Sequence, residues 1–244
     1  MSTPVVIQAG GKGTRLYPYT QVLPKPLMPI GGSPILKIVI SQLAAHGFRE
    51  LHITLGHLGE MIRLCCGDGS QWGVHIHYWE EATPLGTIGP LRRIRGLDRP
   101  FLVLNGDLLT DLNFARFLAF HRESGAELSI ATYMKPVQIS LGVLETTATG
   151  RIIGFNEKPV YRFPCSMGIY GIDPGLISLI PEGSPFGFDD LMRKVLNEGR
   201  DARSYPFDGT WLDIGRPEDL AAACELYEKN QGLFQPGCVA GKAA

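Results

Sequence analysis

The chain begins with an apolar run, Val5-Val6-Ile7, that passes through Gln8 into Ala9-Gly10-Gly11-Lys12-Gly13-Thr14-Arg15-Leu16. A strand ending in a turn this rich in glycine lets backbone N–H groups close around a ligand, and Lys12 and Arg15 add positive charge at the same place. The combination suits phosphate. Two common phosphate loops are nevertheless ruled out. G-x-x-x-x-G-K-[ST] is missing because Gly13 is followed by Thr14 and Arg15, and G-x-G-x-x-G fails because its third glycine would fall on Leu16.

Downstream, short apolar runs alternate with helical periodicity. Ser33-Pro34 reads as an N-cap with proline at the first helical position, and Leu36, Val39, Ile40 and Leu43 line one face of a helix that Gly47 ends. Strands are predicted at 51–55, 74–79 and 101–104, with helices at 57–66 and 87–95 between them. The strand at 101–104 runs into Asn105-Gly106-Asp107, a functional turn. A helix at 113–123 and a strand at 127–133 follow. Short strands at 142–145, 152–155 and 166–172 suggest a small antiparallel insertion, then helices at 174–180 and 188–198, a strand at 211–214 and a helix at 217–229. This order predicts a three-layer α/β/α fold, Rossmann-like, with a mixed, mostly parallel sheet and ligands gathered beyond the carboxyl ends of its strands. One domain over 1–230 is expected, with 231–244 a flexible tail.

With 244 residues, 44% of them hydrophobic and 19% charged, and a net charge of −1, nothing in the composition suggests a general binder of nucleic acid or membrane surfaces. Anions must be met by local charge. No apolar run approaches the roughly 20 residues that span a bilayer, and the N-terminus lacks the basic-then-apolar pattern of a signal peptide, so a cytoplasmic location is expected. Cys65, Cys66, Cys165, Cys224 and Cys238 form no C-x-x-C pair and read as buried or idle thiols. His75 and His77 share a strand face as zinc ligands sometimes do, but no third ligand accompanies them.

Beyond the glycine loop, Leu23-Pro24-Lys25-Pro26-Leu27-Met28-Pro29 presents Lys25 from a stiff, proline-bound segment. Here the sequence resembles the sugar-1-phosphate nucleotidylyltransferases, whose opening signature is G-G-x-G-T-R-L, a few residues, then P-K-P. Later landmarks of that family recur in order over almost the whole chain: Leu85-Gly86-Thr87-Ile88-Gly89, Asn105-Gly106-Asp107, Phe155-Asn156-Glu157-Lys158-Pro159, Gly168-Ile169-Tyr170 and Trp211-Leu212-Asp213-Ile214-Gly215. Two positions depart from the pattern. Gln8 stands where an apolar residue is usual, and Ser166 where many members have asparagine.

The resemblance implies transfer of a nucleoside monophosphate from a nucleoside triphosphate to a sugar 1-phosphate, with release of pyrophosphate. An anionic oxygen must then attack an anionic phosphorus, so the site needs cations and in-line positioning rather than a general base. By similarity, Asp107 and Asp213 would hold Mg2+, Arg15 would draw away pyrophosphate and Lys25 would lie near the α-phosphate. Ala9, Gly10, Gly11, Gly13 and Thr14 would hold the nucleotide. Gly142, Glu157, Lys158 and Gly168 would meet the sugar phosphate. The base would face the segment from Glu80 to Gly89. There Pro84-Leu85-Gly86-Thr87-Ile88-Gly89 looks like the guanylyltransferase pattern P-L-G-T-A-G, and Glu80 or Glu81 offers a carboxylate to guanine's N–H donors. Partners expected on this basis are GTP and a mannose- or heptose-like sugar 1-phosphate, with no nucleic acid and no membrane; a homo-oligomer stays open. A thymidylyl-, uridylyl- or cytidylyltransferase, and a non-catalytic nucleotide-sugar sensor, are the alternatives.

Overall fold

The computed structural model describes residues 3–81 and 83–234. In chain order its elements are β1 (Pro4–Ala9), β2 (Pro29–Ile30), β3 (Ser33–Pro34), α1 (Ile35–Ala45), β4 (Glu50–Leu55), α2 (Gly59–Cys66), β5 (His75–Glu80), β6 (Phe101–Asn105), β7 (Leu108–Thr110), α3 (Phe114–Ser124), β8 (Leu128–Gln138), β9 (Val143–Thr146), β10 (Ile152–Asn156), β11 (Val160–Ile172), α4 (Phe188–Asn197), β12 (Ala202–Phe207), β13 (Trp211–Asp213), α5 (Pro217–Lys229) and α6 (Gln231–Phe234). Seven strands build one sheet in the order β12-β8-β11-β6-β1-β4-β5. Every neighbouring pair is parallel except those made by β11, which runs antiparallel to β6 and β8.

The two-residue period of the central strands divides the interior. Val5 and Ile7 of β1, with Leu51, Ile53, Leu102 and Leu104, enter a core completed by Leu36, Ile40 and Leu43 of α1, Ile62 of α2, Phe117 of α3 and Ala223 of α5. Val6 and Val103 enter a second core on the opposite face, closed by Ile88, Leu91, Leu176, Leu191 and Val195. Each fully buried Val, Leu or Ile contributes about 1.5–3 kcal/mol of transfer free energy, so the two cores together fix the sheet between its layers. This is the expected three-layer architecture, with a mostly parallel sheet.

Several elements differ from the sequence expectation. Ser33 and Pro34 do not open α1; they pair antiparallel with Pro29 and Ile30, and the helix begins at Ile35. The segments expected as helices at 87–95 and 174–180 form 3-10 turns, Gly89–Arg93 and Pro174–Leu179, each with a proline in its first turn. The strands expected at 127–133 and 166–172 are longer, and residues 134–138 and 160–165 extend them as an antiparallel ribbon beside the β9/β10 hairpin. β12 went unforeseen. Residues 231–234 of the expected tail form α6, and residues 235–244, with Cys238, lie outside the described residues. Cys65, Cys66, Cys165 and Cys224 are free thiols, of which Cys66 is buried.

Candidate active site

Gln8, Ala9, Gly10, Gly11 and Lys12 leave the carboxyl end of β1 and line a cavity of about 760 Å3. Its other walls come from the ends of neighbouring strands: Thr54, Gly56 and His57 from β4 and the loop after it, Glu81, Pro84, Gly86 and Thr87 from the loop after β5, Asn105 and Asp107 after β6, and Lys25 and Pro26 from the proline-rich segment. Carboxyl ends of parallel strands are where α/β folds gather ligands.

The glycines are required by contact as well as by conformation. Gly13 has φ +60°, and a Cβ there would sit 2.8 Å from the Thr20 methyl and 3.1 Å from Lys25 Cβ. Close packing at this point therefore ties the glycine loop to the segment carrying Lys25. Thr20 reinforces the link, its hydroxyl donating to the Gly13 carbonyl at 2.9 Å. Thr14 and Arg15 form a single 3-10 turn outside the cavity lining, and the Arg15 guanidinium lies close over Gly215, two residues after Asp213.

Lys25 is the hub. Its ammonium ion-pairs with Asp107 Oδ2 and lies 3.7 Å from Asp213 Oδ1. Lys25 and Asp107 are nearly buried, whereas the Asp213 side chain is 41% exposed. Two carboxylates distant in sequence meet because β13 pairs antiparallel with β7, the strand that starts just after Asp107, so that Asp213 lies opposite Leu108. Asp111 Oδ1 fixes the approach of β13 by accepting from Thr210 N–H at 2.7 Å, and the Thr110 hydroxyl donates to the Thr210 carbonyl at 2.8 Å. Burial pushes the Asp107 carboxyl above the usual carboxylate range; the Lys25 charge opposes that shift and Asp213 adds to it.

Asp107 Oδ1 is buried and has no hydrogen-bond partner. An orphaned carboxylate oxygen beside a second carboxylate is the donor set of a hard divalent cation, which takes one or two carboxylates and completes its shell with substrate phosphates and water. The residues therefore fit such an ion. Among the described residues no cluster of three or more His, Cys, Asp or Glu offers an all-protein metal cage.

The two glutamates considered for base recognition part company. Glu80 pairs with Arg63 at 2.5 Å, is largely exposed and does not line the cavity. Glu81 does line it: Oε2 accepts the Leu85 N–H at 2.7 Å, and Oε1 lies 3.5 Å from the position of a Cβ on Gly10. Burial raises the Glu81 carboxyl pKa, opposed by the Leu85 N–H and the Arg93 charge. Thr87 is held by the sheet itself, since the Gln8 amide donates to its carbonyl. A Cβ on Gly86 would meet the Phe186 carbonyl oxygen at 2.7 Å.

The residues expected at the sugar phosphate form two groups. Gly142, Glu157 and Lys158 assemble at the ribbon: a Cβ on Gly142 would lie 2.5 Å from the Phe155 ring and 3.1 Å from Glu157 Oε2, and the Lys158 ammonium lies 3.8 Å from Glu157. Lys158 adopts φ +47°, a left-handed conformation uncommon for a side-chain-bearing residue. Gly168, at φ +73°, packs instead on Asn105, where a Cβ would come within 2.5 Å of the carboxamide nitrogen. Ser166 accepts the Gly168 N–H at 3.2 Å. None of these four lines the main cavity.

Sequence reasoning passed over Gln8, Thr54, Gly56, His57 and Asn105 as lining residues. The readable signal for Gly56 and His57 was their position directly after an apolar strand, as in the glycine loop. His57 Nε2 donates to the Thr20 carbonyl at 3.0 Å, joining the β4 loop to the Lys25 segment.

The family model described as Nucleotidyl transferase matches residues 4–230. A UTP–glucose-1-phosphate uridylyltransferase from Synechocystis sp. is 35% identical over 234 residues, covering 88% of this chain and 60% of that protein. A mannose-1-phosphate guanyltransferase from Yarrowia lipolytica is 33% identical over 230 residues, covering 91% and 63%. A mannose-1-phosphate guanylyltransferase from Mycobacterium tuberculosis is 32% identical over 223 residues, covering 88% and 62%. The chain thus spans less than two thirds of the length of these curated relatives. Among solved structures, a Bacillus anthracis protein assigned as a glucose-1-phosphate thymidylyltransferase shares the fold, with a TM-score of 0.73, 24% identity and coverage of 91% of this chain and 94% of that one. HddC from Yersinia pseudotuberculosis does so too, with a TM-score of 0.71, 24% identity and coverage of 92% and 99%. With the glycine loop, Lys25 and the two aspartates gathered at the ends of the parallel strands, the match over residues 4–230 makes this chain a member of the nucleotidyl transferase family.

Proposed function

We propose that this chain transfers a nucleoside monophosphate, with GMP favoured, from the triphosphate to a mannose- or heptose-like sugar 1-phosphate. The carrying observation is Lys25 held between Asp107 and Asp213 beside a glycine-walled cavity. In the reaction a phosphate oxygen of the sugar forms a bond to the α-phosphorus, the bond from that phosphorus to the bridging oxygen breaks, and pyrophosphate leaves with the electron pair. No proton need move, because the attacking phosphate is already largely ionised at pH 7.

The chain's own groups then have distinct tasks. The backbone of Ala9 to Thr14 grips the nucleotide, Lys25 offsets charge at the α-phosphate, and Arg15, close over Gly215, meets the departing pyrophosphate. Asp107 and Asp213 would hold Mg2+, which supplies further positive charge to the phosphates. Glu157 and Lys158 serve the sugar and its phosphate from the ribbon. Glu81 supports the guanine preference: it is the carboxylate that the loop after β5 brings to the cavity wall, and a carboxylate accepts from the N1 and N2 donors that uracil and thymine do not present in that arrangement. Relatives named for UTP and for GTP make base choice the point to test.

Pyrophosphate release across four nucleoside triphosphates and a panel of sugar 1-phosphates tests the proposal. GTP with mannose 1-phosphate or a heptose 1-phosphate is expected to give the highest kcat/KM. A clear preference for UTP, dTTP or CTP overturns the base assignment, and tight nucleotide binding without pyrophosphate from any pair overturns catalysis in favour of a sensor.

A further inference from the structure

A second cavity, of about 360 Å3, shares no lining residue with the first and is bordered by Glu50, His52, His77, Trp79, Arg95 and Arg99. It lies on the face of β4 and β5 turned away from α1. There Val6, His52 and His77 stand in register across β1, β4 and β5, so the apolar face of β1 gives way to imidazoles toward the sheet edge. Burying a polar ring in a parallel strand has a cost that a hydrogen-bonding role would offset.

The chemistry of His52 is fixed by its neighbour. The Trp79 indole N–H, a donor only, lies 3.0 Å from His52 Nδ1, so Nδ1 holds the lone pair and the ring proton is on Nε2. That Nε2–H has no partner among the described residues, although the residue is only 7% exposed. Burial, and then the neighbouring His77, lowers the His52 pKa to about 4, so at neutral pH the ring is an uncharged donor. His77 stacks on it with ring centroids 5.1 Å apart and reaches Glu50 at 3.2 Å. The loop before β6 contributes both arginines. Arg99 Nε lies 3.2 Å from Asp98, and Arg95 has no carboxylate partner among the described residues.

Arg95, Arg99 and His52 thus line one cavity, while of the nearby carboxylates Glu50 is paired with His77 and Asp98 with Arg99. A metal is poorly served, since no suitable cluster exists among the described residues. A phosphate group offers several acceptor oxygens to donors arriving from different directions. We infer that this cavity is a second anion site, separate from the nucleotide cavity, that takes inorganic phosphate or the phosphate of a small phosphomonoester through Arg95, Arg99 and the His52 Nε2–H. The site is independent of the proposed transfer reaction, since the two cavities share no lining residue.

The six histidines make the test direct, because His52 and His77 report this cavity and His57 reports the other. Imidazole 1H–15N resonances of the whole chain are followed during parallel titrations with inorganic phosphate and glycerol 3-phosphate at constant pH and ionic strength. Saturable shifts at His52 and His77 are expected, on a concentration curve different from that of His57. In the variant Arg95→Gln/Arg99→Gln their apparent affinity is expected to fall about tenfold or more, with the His57 curve unchanged. Arg95→Glu alone serves if the double variant fails to fold. The tighter of the two probes identifies the source of the phosphate. Absence of saturable shifts at His52 and His77, undiminished shifts in the arginine variants, or shifts that follow His57 and vanish when nucleotide fills the first cavity, each overturns the site.

Discussion

Gly56→Ala is a severe test of how the nucleotide cavity is built. Gly56 follows β4 and meets the Gly10 backbone at the end of β1: an added Cβ would lie 2.4 Å from the Gly10 carbonyl oxygen and 3.0 Å from its Cα. Both partners are backbone, and β1 and β4 are joined by a parallel ladder from Pro4 with Glu50 to Ala9 with Leu55, so no side chain can swing aside. Returning that oxygen to an ordinary contact of 3.4 Å requires about 1 Å of movement in the glycine loop. Overpacking of this kind costs about 1–3 kcal/mol of stability. A misplacement of about 1 Å in a substrate-holding element costs about 100-fold in rate, equivalent to roughly 2.7 kcal/mol in the activation barrier. Urea denaturation should therefore show a lower midpoint with an unchanged slope, and pyrophosphate release should show kcat/KM for the triphosphate reduced about 100-fold. Gly232→Ala, where a Cβ would meet nothing within 4 Å, is the control expected to leave kinetics alone. Wild-type stability together with wild-type kcat/KM in Gly56→Ala would falsify the reasoning that the two loops abut.

Asp107→Ala removes the buried carboxylate that pairs with Lys25 and is expected to lower turnover by about 10²–10³-fold while circular dichroism stays native; ordinary activity would take Asp107 out of the proposed metal site. Glu81→Gln turns one acceptor oxygen into a donor at the cavity wall, so the GTP-to-UTP ratio of kcat/KM should fall about tenfold or more; an unchanged ratio sinks the base-reading role. His52 has a folded pKa of about 4 against an ordinary value of 6.5, so the unfolded chain takes up the proton first as pH falls. Its contribution to stability is intact above pH 6.5 and is lost between about 6.5 and 4, by up to about 2 kcal/mol once solvent screening at the cavity mouth is allowed for. Denaturant melts over that range should show a flatter pH dependence in His52→Gln than in the natural chain, and parallel curves would refute the assignment.

What could be read from sequence was whatever local chemistry forces. The runs Val5–Ile7 and Phe101–Leu104 are buried on both faces, as suits strands in the middle of a sheet covered by a layer on either side. The glycine loop and Asp107 follow directly from such strands and were legible with them, and Lys25 was legible from the prolines on either side of it. β12 was not legible, because Arg203, Ser204, Tyr205 and Pro206 lie on an edge strand that pairs only with β8 and buries little. Pro136 and Pro164 concealed the ribbon in the same way: proline argues against a strand, yet here both sit in extended arms paired to one neighbour. Glu80 and Glu81 were equivalent in sequence, and they part only in the structure, where Glu80 pairs with Arg63 and Glu81 takes the Leu85 N–H at the cavity wall. The cavity made by His52 and His77 could not be foreseen either, since the pair arises from the register of β4 on β5 rather than from the spacing of His75 and His77.

The short pairing of β13 with β7 also makes the acidic pair depend on a distant part of the chain. β1, β6 and Asp107 belong to the early part of the chain, but Asp213 arrives only when a segment far downstream zips onto Leu108–Thr110. A contact of such long sequence separation forms only at the cost of closing the long loop between its ends. A chain in which β13 is prevented from pairing with β7 would keep the glycine loop and Asp107 but lose the second carboxylate, so the two halves of the acidic pair can be separated without touching either residue.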